Sequence, residues 1–266
     1  MNVTLNAAQV AELTDRVEQA QRGARAMPKL TDDYPAMTLD DGYAVQMALR
    51  KRWLAEGQRQ TGWKAGLTSK AKMQQMGVDV PSIGFLLASM ARPDGSVVRT
   101  DDMVHPRVEC EVAFVTRKQL AGPACTREEI LAATDFVVPA IEIIDSRYAG
   151  FKFDLPSVVA DNGSSARYVT GGRARDVSEL DLSTLGVVLE KNGEMVAMGA
   201  SAAVMGHPAD AIALLVQVLH HLGEELPAGS FVMSGSITEA IAVAPGDHVS
   251  AHFQELGSVH VRFANP

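Results

Sequence analysis

The sequence predicts an α+β fold with a helical N-terminal region and a β-rich remainder. Apolar residues recur at helical spacing before residue 60, whereas short, β-branched apolar runs separated by glycine and proline follow it. Helices are inserted between these runs without a regular strand–helix alternation, which is typical of α+β chains. We therefore predict a helical region over residues 1–60, packed on a β-rich domain over residues 61–266.

Two amphipathic helices are predicted in the N-terminal region. The first spans residues 7–25, with Asn6 as its cap. The second follows Thr38, and Asp41 stands three positions later, where a capping box places its acceptor side chain. A polar connector marked by proline, residues 27–35, separates the two helices.

The β-rich part carries clear signals for several elements. The Asn192-Gly193 pair between two apolar runs indicates a hairpin over residues 186–196. Thr126 and Glu129 form a second capping-box pattern. Further elements are predicted as strands over residues 108–116, 136–144, 230–234, 248–254 and 258–263, and as helices over residues 126–133 and 208–222.

Composition and charge exclude several classes of partner. The chain has 266 residues, 47% of them hydrophobic, and a formal net charge of −8. A nucleic-acid-binding protein normally shows a basic surface, so we expect no nucleic-acid partner. The longest apolar stretch, residues 211–219, is interrupted by Gln217 and too short to span a bilayer, so no membrane partner is expected.

Two cysteines, Cys110 and Cys125, fit neither a metal-ligand spacing nor a disulfide framework. The first residues are polar and contain acids, unlike a signal peptide. Both observations favour a reducing compartment, and we expect a cytoplasmic protein.

The strongest chemical signal is Glu109-Cys110-Glu111 within the strand over residues 108–116. Residues i and i+2 of a strand point to the same side, so the two carboxylates share one face. At an effective dielectric near 20, their repulsion costs roughly 3–4 kcal/mol at ~4–5 Å. A proton, a basic side chain or a cation must relieve that repulsion.

A third acid, Glu142, interrupts the otherwise apolar strand over residues 136–144. A buried lone glutamate is costly unless it is paired or bound to a metal. If the two strands are neighbours, the three glutamates form a cluster of hard oxygen donors that suits Mg²⁺ or Mn²⁺. The alternative is a solvated sheet face for Glu109 and Glu111, with Glu142 at the end of an edge strand.

Lys64 is the next candidate, because it stands between glycines and apolar residues in the run 62–66. A partly desolvated lysine can bind a carboxylate or transfer a proton, although a surface lysine on a turn is the alternative. Two loops can also bind a carboxylate through hydroxyls and backbone donors, although either loop could equally be a simple turn. They contribute Ser164, with Lys152 and Arg147 upstream, and Ser234 with Thr238.

These motifs, in this order, resemble the fumarylacetoacetate hydrolase-like superfamily, and within it the branch of 2-oxopent-4-enoate hydratases and 4-oxalocrotonate decarboxylases. The matching runs cover nearly the whole chain. They are residues 62–69, 77–79 with Gly84, Glu109-x-Glu111, 142–147, 160–162, 235–238 and 245–247. Residues 67–77 and 151–162 resemble the decarboxylases in particular, whereas Gly163 stands where alanine is expected.

The resemblance implies a mixed β-roll core behind the helical N-terminal region. It implies Mg²⁺ or Mn²⁺ held by Glu109, Glu111 and Glu142, and decarboxylation of 4-oxalocrotonate, a small 2-oxo dicarboxylic acid from meta-cleavage breakdown of aromatics. Lys64 is expected to polarise or protonate the oxygen end of the substrate, and Asp79 to handle a proton. Lys152 or Arg147 is expected to position the distal carboxylate.

The resemblance also implies a homo-oligomer that associates with a 2-oxopent-4-enoate hydratase. Hydratase activity of the chain itself is the nearest alternative, because the pocket is shared between the two enzyme types. A C–C hydrolase of the superfamily is disfavoured, because residues 62–89 contain no histidine to activate water. A non-catalytic partner subunit, or a plain binding protein for small acids, completes the alternatives.

Overall fold

A computed structural model describes residues 1–69, 73 and 81–265. Within these residues, helices cover much of the first 55 positions and strands dominate thereafter, which confirms the predicted α+β class. The helices are α1 (Ala7–Gly23), α2 (Leu30–Asp33), α3 (Leu39–Ala55), α4 (Arg127–Ala133), α5 (Leu155–Ala160) and α6 (Pro208–His221).

The strands form two mixed sheets. The strands are β1 (Gln60–Gly66), β2 (Ser82–Leu87), β3 (Ala91–Pro93), β4 (Val97–Arg99), β5 (Pro106–Thr116), β6 (Thr134–Asp145), β7 (Ser165–Thr170), β8 (Gly186–Lys191), β9 (Glu194–Ala200), β10 (Phe231–Met233), β11 (Ile241–Ala242), β12 (His248–Phe253) and β13 (Gly257–Ala264). The larger sheet has the order β2-β1-β10-β5-β6-β7-β3, with β11 also paired to β5, and the smaller sheet has the order β4-β13-β12-β8-β9.

The predicted helix starts are confirmed by their caps. The side chain of Asn6 accepts a hydrogen bond from the backbone of Gln9, and Thr38 and Asp41 form the predicted capping box. Thr126 caps α4 in the same way, with Glu129 as its partner. These caps satisfy backbone N–H groups that a helix start leaves without intrahelical partners.

The hairpin over residues 186–196 is also confirmed, as β8 paired with β9. Asn192 and Gly193 have φ values of 58° and 85°, as a tight hairpin turn requires. Eight elements were not predicted: the short helix α2 inside the polar connector, the helix α5, and the strands β1, β2, β3, β4, β7 and β11.

The strand β1 escaped prediction because glycines break its apolar pattern. A Cβ on Gly62 would lie 1.7 Å from the carbonyl oxygen of Phe231 on β10, so only glycine allows the two strands to approach. This pairing inserts β1 between β10 and β2 and fixes the position of Lys64 in the sheet.

The hydrophobic core is continuous across residue 60. Leu13 and Val17 of α1 and Leu49 of α3 are fully buried and belong to the same core cluster as the sheet residues. The division into residues 1–60 and 61–266 stays a prediction.

The helix α6 lies largely inside the structure. α6 and the short turn before it form the stretch Ser201–His221, which is long and apolar enough by length and composition to cross a membrane. This stretch is longer than the apolar run over residues 211–219 that was recognised in the sequence. More than half of its most apolar 18-residue segment is buried against the rest of the structure. His207 caps α6, and its Nδ1 accepts a hydrogen bond from the backbone of Ala209 at 3.1 Å.

Candidate active site

Three glutamates meet where β5 and β6 run side by side. The strands are antiparallel, and Glu109 lies directly opposite Glu142. Glu111 lies on the same face of β5, and one carboxylate oxygen from each of the three residues falls within 4.8 Å of the others. All three side chains are buried, with Glu142 fully inaccessible. The alternative of a solvated sheet face is therefore wrong.

Lys64 extends from β1 into this cluster. Its Nζ donates hydrogen bonds to Oε2 of Glu142 at 2.9 Å and to the carbonyl oxygen of Gly163 at 3.1 Å. Lys64 is buried, so the surface-turn alternative is also wrong. Three carboxylates therefore meet around one ammonium group, and a divalent cation would relieve the repulsion among them.

The pKa values of these groups show how strongly they interact. Burial, together with the neighbouring charges of Glu142 and Glu109, raises the pKa of Glu111 well above its ordinary value. Burial likewise raises the pKa of Glu142, although Lys64 opposes that rise. Burial lowers the pKa of Lys64, but the charges of the glutamates outweigh it and raise that pKa. The cluster therefore holds excess negative charge that needs a proton or a cation.

The chemistry of the donor set fits a hard divalent metal. Oε1 of Glu142 is buried and accepts no hydrogen bond from an N–H group or alcohol hydroxyl among the described residues. Such an oxygen is costly to bury unless something binds it. Carboxylate oxygens are the ligands that Mg²⁺ and Mn²⁺ prefer, so these three residues suit such an ion.

A cavity of about 320 Å³ opens beside the cluster. Glu109, Glu111 and Lys64 contribute charged groups to its lining. The opposite part of the lining is aliphatic and aromatic and comes from Ile144, Phe151, Phe153 and Val158. The cavity thus joins a charged end to an apolar wall, as a site for a small organic acid requires.

A left-handed turn borders the cavity at residues 162–164. Asn162 and Ser164 have φ values of 53° and 59°, which is strained for residues other than glycine. The side chain of Asn162 stabilises the turn, because it accepts a hydrogen bond from the backbone of Phe85 and donates one back to it. The turn directs the Gly163 carbonyl to Lys64 and places Ser164 in the cavity lining.

The predicted hydroxyl residues differ in their positions. Ser164 lines the cavity, and its buried Oγ has no hydrogen-bond partner among the described residues. Ser234 donates a hydrogen bond to the carbonyl of Val112, and Thr238 accepts one from the backbone of Cys110. Neither Ser234 nor Thr238 belongs to the described cavity lining. Their hydroxyls fasten the loop to β5 instead.

Gly235, in the same loop, is a site residue that sequence reasoning did not single out. Its backbone N–H donates a 2.7 Å hydrogen bond to Oε2 of Glu111. Gly235 has a φ of 111°, and a Cβ there would lie 2.1 Å from Oγ1 of Thr68. Only glycine fits this position.

The two cations proposed for the distal carboxylate lie elsewhere. Arg147 is buried, and its Nε donates a 2.6 Å hydrogen bond to Asp161. Lys152 is exposed, and neither residue belongs to the described cavity lining. A buried arginine already paired with a protein carboxylate is a poor receptor for a substrate carboxylate, so the structure does not support Arg147 in this role. Asp79 lies outside the described residues.

The sequence profile described as "Fumarylacetoacetate (FAA) hydrolase C-terminal" matches residues 62–264. The chain belongs to the fumarylacetoacetate hydrolase family. This match includes all three glutamates and Lys64, and it confirms the resemblance seen in the motifs.

Relatives in this family align with nearly the whole chain. A 4-oxalocrotonate decarboxylase from Pseudomonas sp. (strain CF600) is 53% identical over 263 residues, which cover 99% of this chain and 100% of that protein. A 2-hydroxyhexa-2,4-dienoate hydratase from Comamonas testosteroni is 37% identical and covers 93% of this chain and 95% of its own length.

A solved structure is also similar to this chain in both fold and sequence. It is a 4-oxalocrotonate decarboxylase from Pseudomonas putida G7 complexed with magnesium and adipate. It matches with a TM-score of 0.97 at 50% sequence identity and covers 98% of this chain and 100% of that chain.

Proposed function

We propose that this chain is a metal-dependent carbon–carbon lyase that converts 4-oxalocrotonate (2-oxohex-3-enedioate) into 2-hydroxypenta-2,4-dienoate and CO₂ during meta-cleavage breakdown of aromatic compounds. The observation that carries the proposal is the convergence of Glu109, Glu111, Glu142 and Lys64 at one cavity. The 53% identity with a 4-oxalocrotonate decarboxylase over nearly the full length supports the same substrate.

Decarboxylation requires that the electron pair of the broken C–C bond be delocalised onto a stabilised atom. When the C6 carboxyl leaves as CO₂, the electrons of the broken C5–C6 bond remain on C5. The C3=C4 double bond conjugates them with the C2 carbonyl, so negative charge develops on the C2 oxygen. A proton delivered to that oxygen completes the product. The catalytic task is therefore to stabilise charge at C2 and to leave the C6 carboxylate poorly solvated.

Glu109, Glu111 and Glu142 would hold Mg²⁺ or Mn²⁺. When bound, such an ion supplies Lewis-acid stabilisation of negative charge that develops on a nearby oxygen. The N–H of Gly235 orients Glu111, and Lys64 orients Glu142, so these partners fix two of the three carboxylates.

Lys64 is placed to hold and move the proton at the oxygen end. Burial lowers the pKa of Lys64, but the charges of the neighbouring glutamates outweigh it, which favours the ammonium form. Two of its hydrogens are directed at Glu142 and Gly163, which leaves the third available to an acceptor in the cavity. Ser164 adds a buried hydroxyl to the same lining, with no hydrogen-bond partner in the described part of the chain.

The apolar wall of Ile144, Phe151, Phe153 and Val158 offers little solvation to a carboxylate. Removing water from a leaving carboxylate favours its departure as neutral CO₂. The cavity therefore provides opposite environments for the two ends of the substrate.

The test is an ultraviolet assay of the purified chain after its metal has been stripped with EDTA. We expect CO₂ release from 4-oxalocrotonate to return on addition of Mg²⁺ or Mn²⁺. Metal-dependent loss of 2-hydroxypentadienoate without CO₂ would instead identify a hydratase, the activity of the 37% identical relative. No turnover by the isolated chain in either assay would favour a partner subunit.

We further propose that the chain forms a homo-oligomer in the cytoplasm and associates with a 2-oxopent-4-enoate hydratase that consumes its product. The two buried free cysteines are compatible with a reducing compartment. Light scattering after gel filtration, with and without the hydratase, tests the assembly. A monomer under both conditions would contradict it.

A further inference from the structure

Arg107 lies on the same face of β5 as the metal-site carboxylates. It precedes Glu109 by two residues, and alternation along a strand directs both side chains to one side. Two residues of strand advance by about 7 Å. Arg107 is therefore one short step along the strand from the charged end of the cavity.

The surroundings of Arg107 border the cavity. Its guanidinium carbon lies 4.1 Å from the centre of the Phe151 ring, and its Nη1 donates a 3.4 Å hydrogen bond to the carbonyl of Ala240. Directly opposite on β6 lies Ile144. All three of these neighbours line the cavity, whereas Arg107 itself is outside the described lining and reaches the cavity through them. The stacking on Phe151 holds the guanidinium at the apolar end.

Among the residues that the structure describes, no carboxylate is paired with Arg107. No ion pair joins it to any of the described residues, and its one side-chain hydrogen bond is long. Lys64 and Arg147, by contrast, are already paired with Glu142 and Asp161. A guanidinium presents a planar fork of donors that matches a carboxylate, so Arg107 retains the capacity to bind one.

We infer that Arg107 binds the distal C6 carboxylate of the substrate and so selects dicarboxylates over monocarboxylates. The inference rests on the proposed function, because it assumes that the C1 end lies at the glutamates. The two carboxylate carbons of a six-carbon diacid are separated by five C–C bonds, which span roughly 6–7 Å when extended. That span is similar to the backbone step of about 7 Å between Glu109 and Arg107 on β5.

Binding of the C6 carboxylate at this position also fits decarboxylation. The carboxylate would lie against Phe151 and Ile144, away from bulk water, with one cation to anchor it. Departure of neutral CO₂ then releases the group from Arg107. A substrate without the distal carboxylate gains nothing from Arg107.

The test compares two probes in the Mg²⁺-loaded chain by calorimetry. The probes are adipate, a six-carbon dicarboxylate, and 2-oxopentanoate, a 2-oxo monocarboxylate. For Arg107→Met we expect adipate to bind about tenfold more weakly or worse, whereas 2-oxopentanoate keeps its affinity within about twofold. The matched control is Lys118→Met, which removes an exposed cation outside the described cavity lining and should change neither affinity.

Turnover provides the second measurement. Arg107→Met should raise KM for 4-oxalocrotonate more than it lowers kcat, with an unchanged unfolding temperature. Equal weakening of both probes, or unchanged adipate binding, would overturn the inference. If wild-type chain binds adipate but releases no CO₂ from 4-oxalocrotonate, the proposed reaction fails while the role of Arg107 in binding stands.

Discussion

Glu109 and Glu142 lie directly opposite each other on neighbouring antiparallel strands, and both carboxylates are buried. Two buried carboxylates in register repel strongly unless a cation or a proton separates them. Lys64 provides one positive charge, through its 2.9 Å contact with Glu142. Burial and the neighbouring charges still raise the pKa of Glu111 well above its ordinary value, which is the physical reason to expect a divalent metal at this position.

Replacement of Lys64 by methionine should impair both catalysis and metal binding. Lys64 lowers the pKa of Glu142, so without it that pKa rises further, and the carboxylate is ionised only at higher pH. Metal ligands must be deprotonated, so the pH of half-maximal Mn²⁺ binding should shift upward. Turnover at saturating metal should fall by about 10²–10⁴. Mn²⁺ titrations across pH check the first effect.

Lys64→Arg is the control, since it keeps the charge while changing the geometry. We expect it to restore most of the metal affinity but little of the turnover. An unchanged pH dependence of metal binding in Lys64→Met would contradict the electrostatic role of Lys64.

Gly235→Ala should weaken the metal site through Glu111. The added Cβ would lie 2.1 Å from Oγ1 of Thr68, so the loop must shift and carry its N–H away from Glu111. Loss of an orienting contact of this kind typically costs 10–100-fold in metal affinity. Isothermal titration with Mn²⁺ provides the measurement.

Gly246→Ala is the matched control for Gly235→Ala. Gly246 also has a left-handed backbone, with a φ of 93°, but a Cβ there meets no atom within 4 Å. Backbone strain alone should therefore lower stability by about 1–2 kcal/mol without affecting the metal. Equal metal affinity in the two variants would show that the Gly235 contact does not matter.

The Asp161–Arg147 pair predicts a specific pH dependence of stability. Burial raises the pKa of Asp161 to about 6, although Arg147 opposes the rise. Between the ordinary aspartate pKa of 3.8 and about 6, the folded chain therefore holds a proton that the unfolded chain has lost. The stability from this group is present at low pH and is lost as pH rises through 6.

Asp161→Asn isolates this effect, because asparagine does not titrate. The free energy of unfolding of the wild type, relative to the variant, should fall by roughly 1–3 kcal/mol between pH 4.5 and pH 7.5. Urea denaturation at both pH values measures it. A difference that rises with pH would mean that the ion pair with Arg147 outweighs the burial of Asp161.

The sequence was most informative where a pattern has one physical meaning. Two acids on one face of a strand, and a lone acid in an apolar strand, each indicate a carboxylate that is costly to bury. The pairing of β5 with β6 brings Glu109, Glu111 and Glu142 together as predicted. The capping boxes at Thr38 and Thr126 were predicted because each is formed within four consecutive residues, so the sequence pattern alone specifies the contact.

Contacts between residues that are distant in sequence could not be predicted from such local patterns. A sequence shows that Arg147 is a cation but not that Asp161 already neutralises it. Likewise, the hydroxyls of Ser234 and Thr238 turn toward the backbone of β5, which depends on how the loop crosses that strand. The strand β1 was missed because close contact with β10 requires glycine at position 62, which obscures the apolar pattern.

The most direct test of the metal site is a paired measurement on wild type and Glu109→Gln. Bound Mn²⁺ and CO₂ release from 4-oxalocrotonate are measured in the same EDTA-stripped samples during a Mn²⁺ titration. We expect CO₂ release by the wild type to rise in proportion to the bound metal. Glu109→Gln should remain folded, bind Mn²⁺ far more weakly and release no CO₂. Full activity of this variant in metal-free buffer would contradict the account.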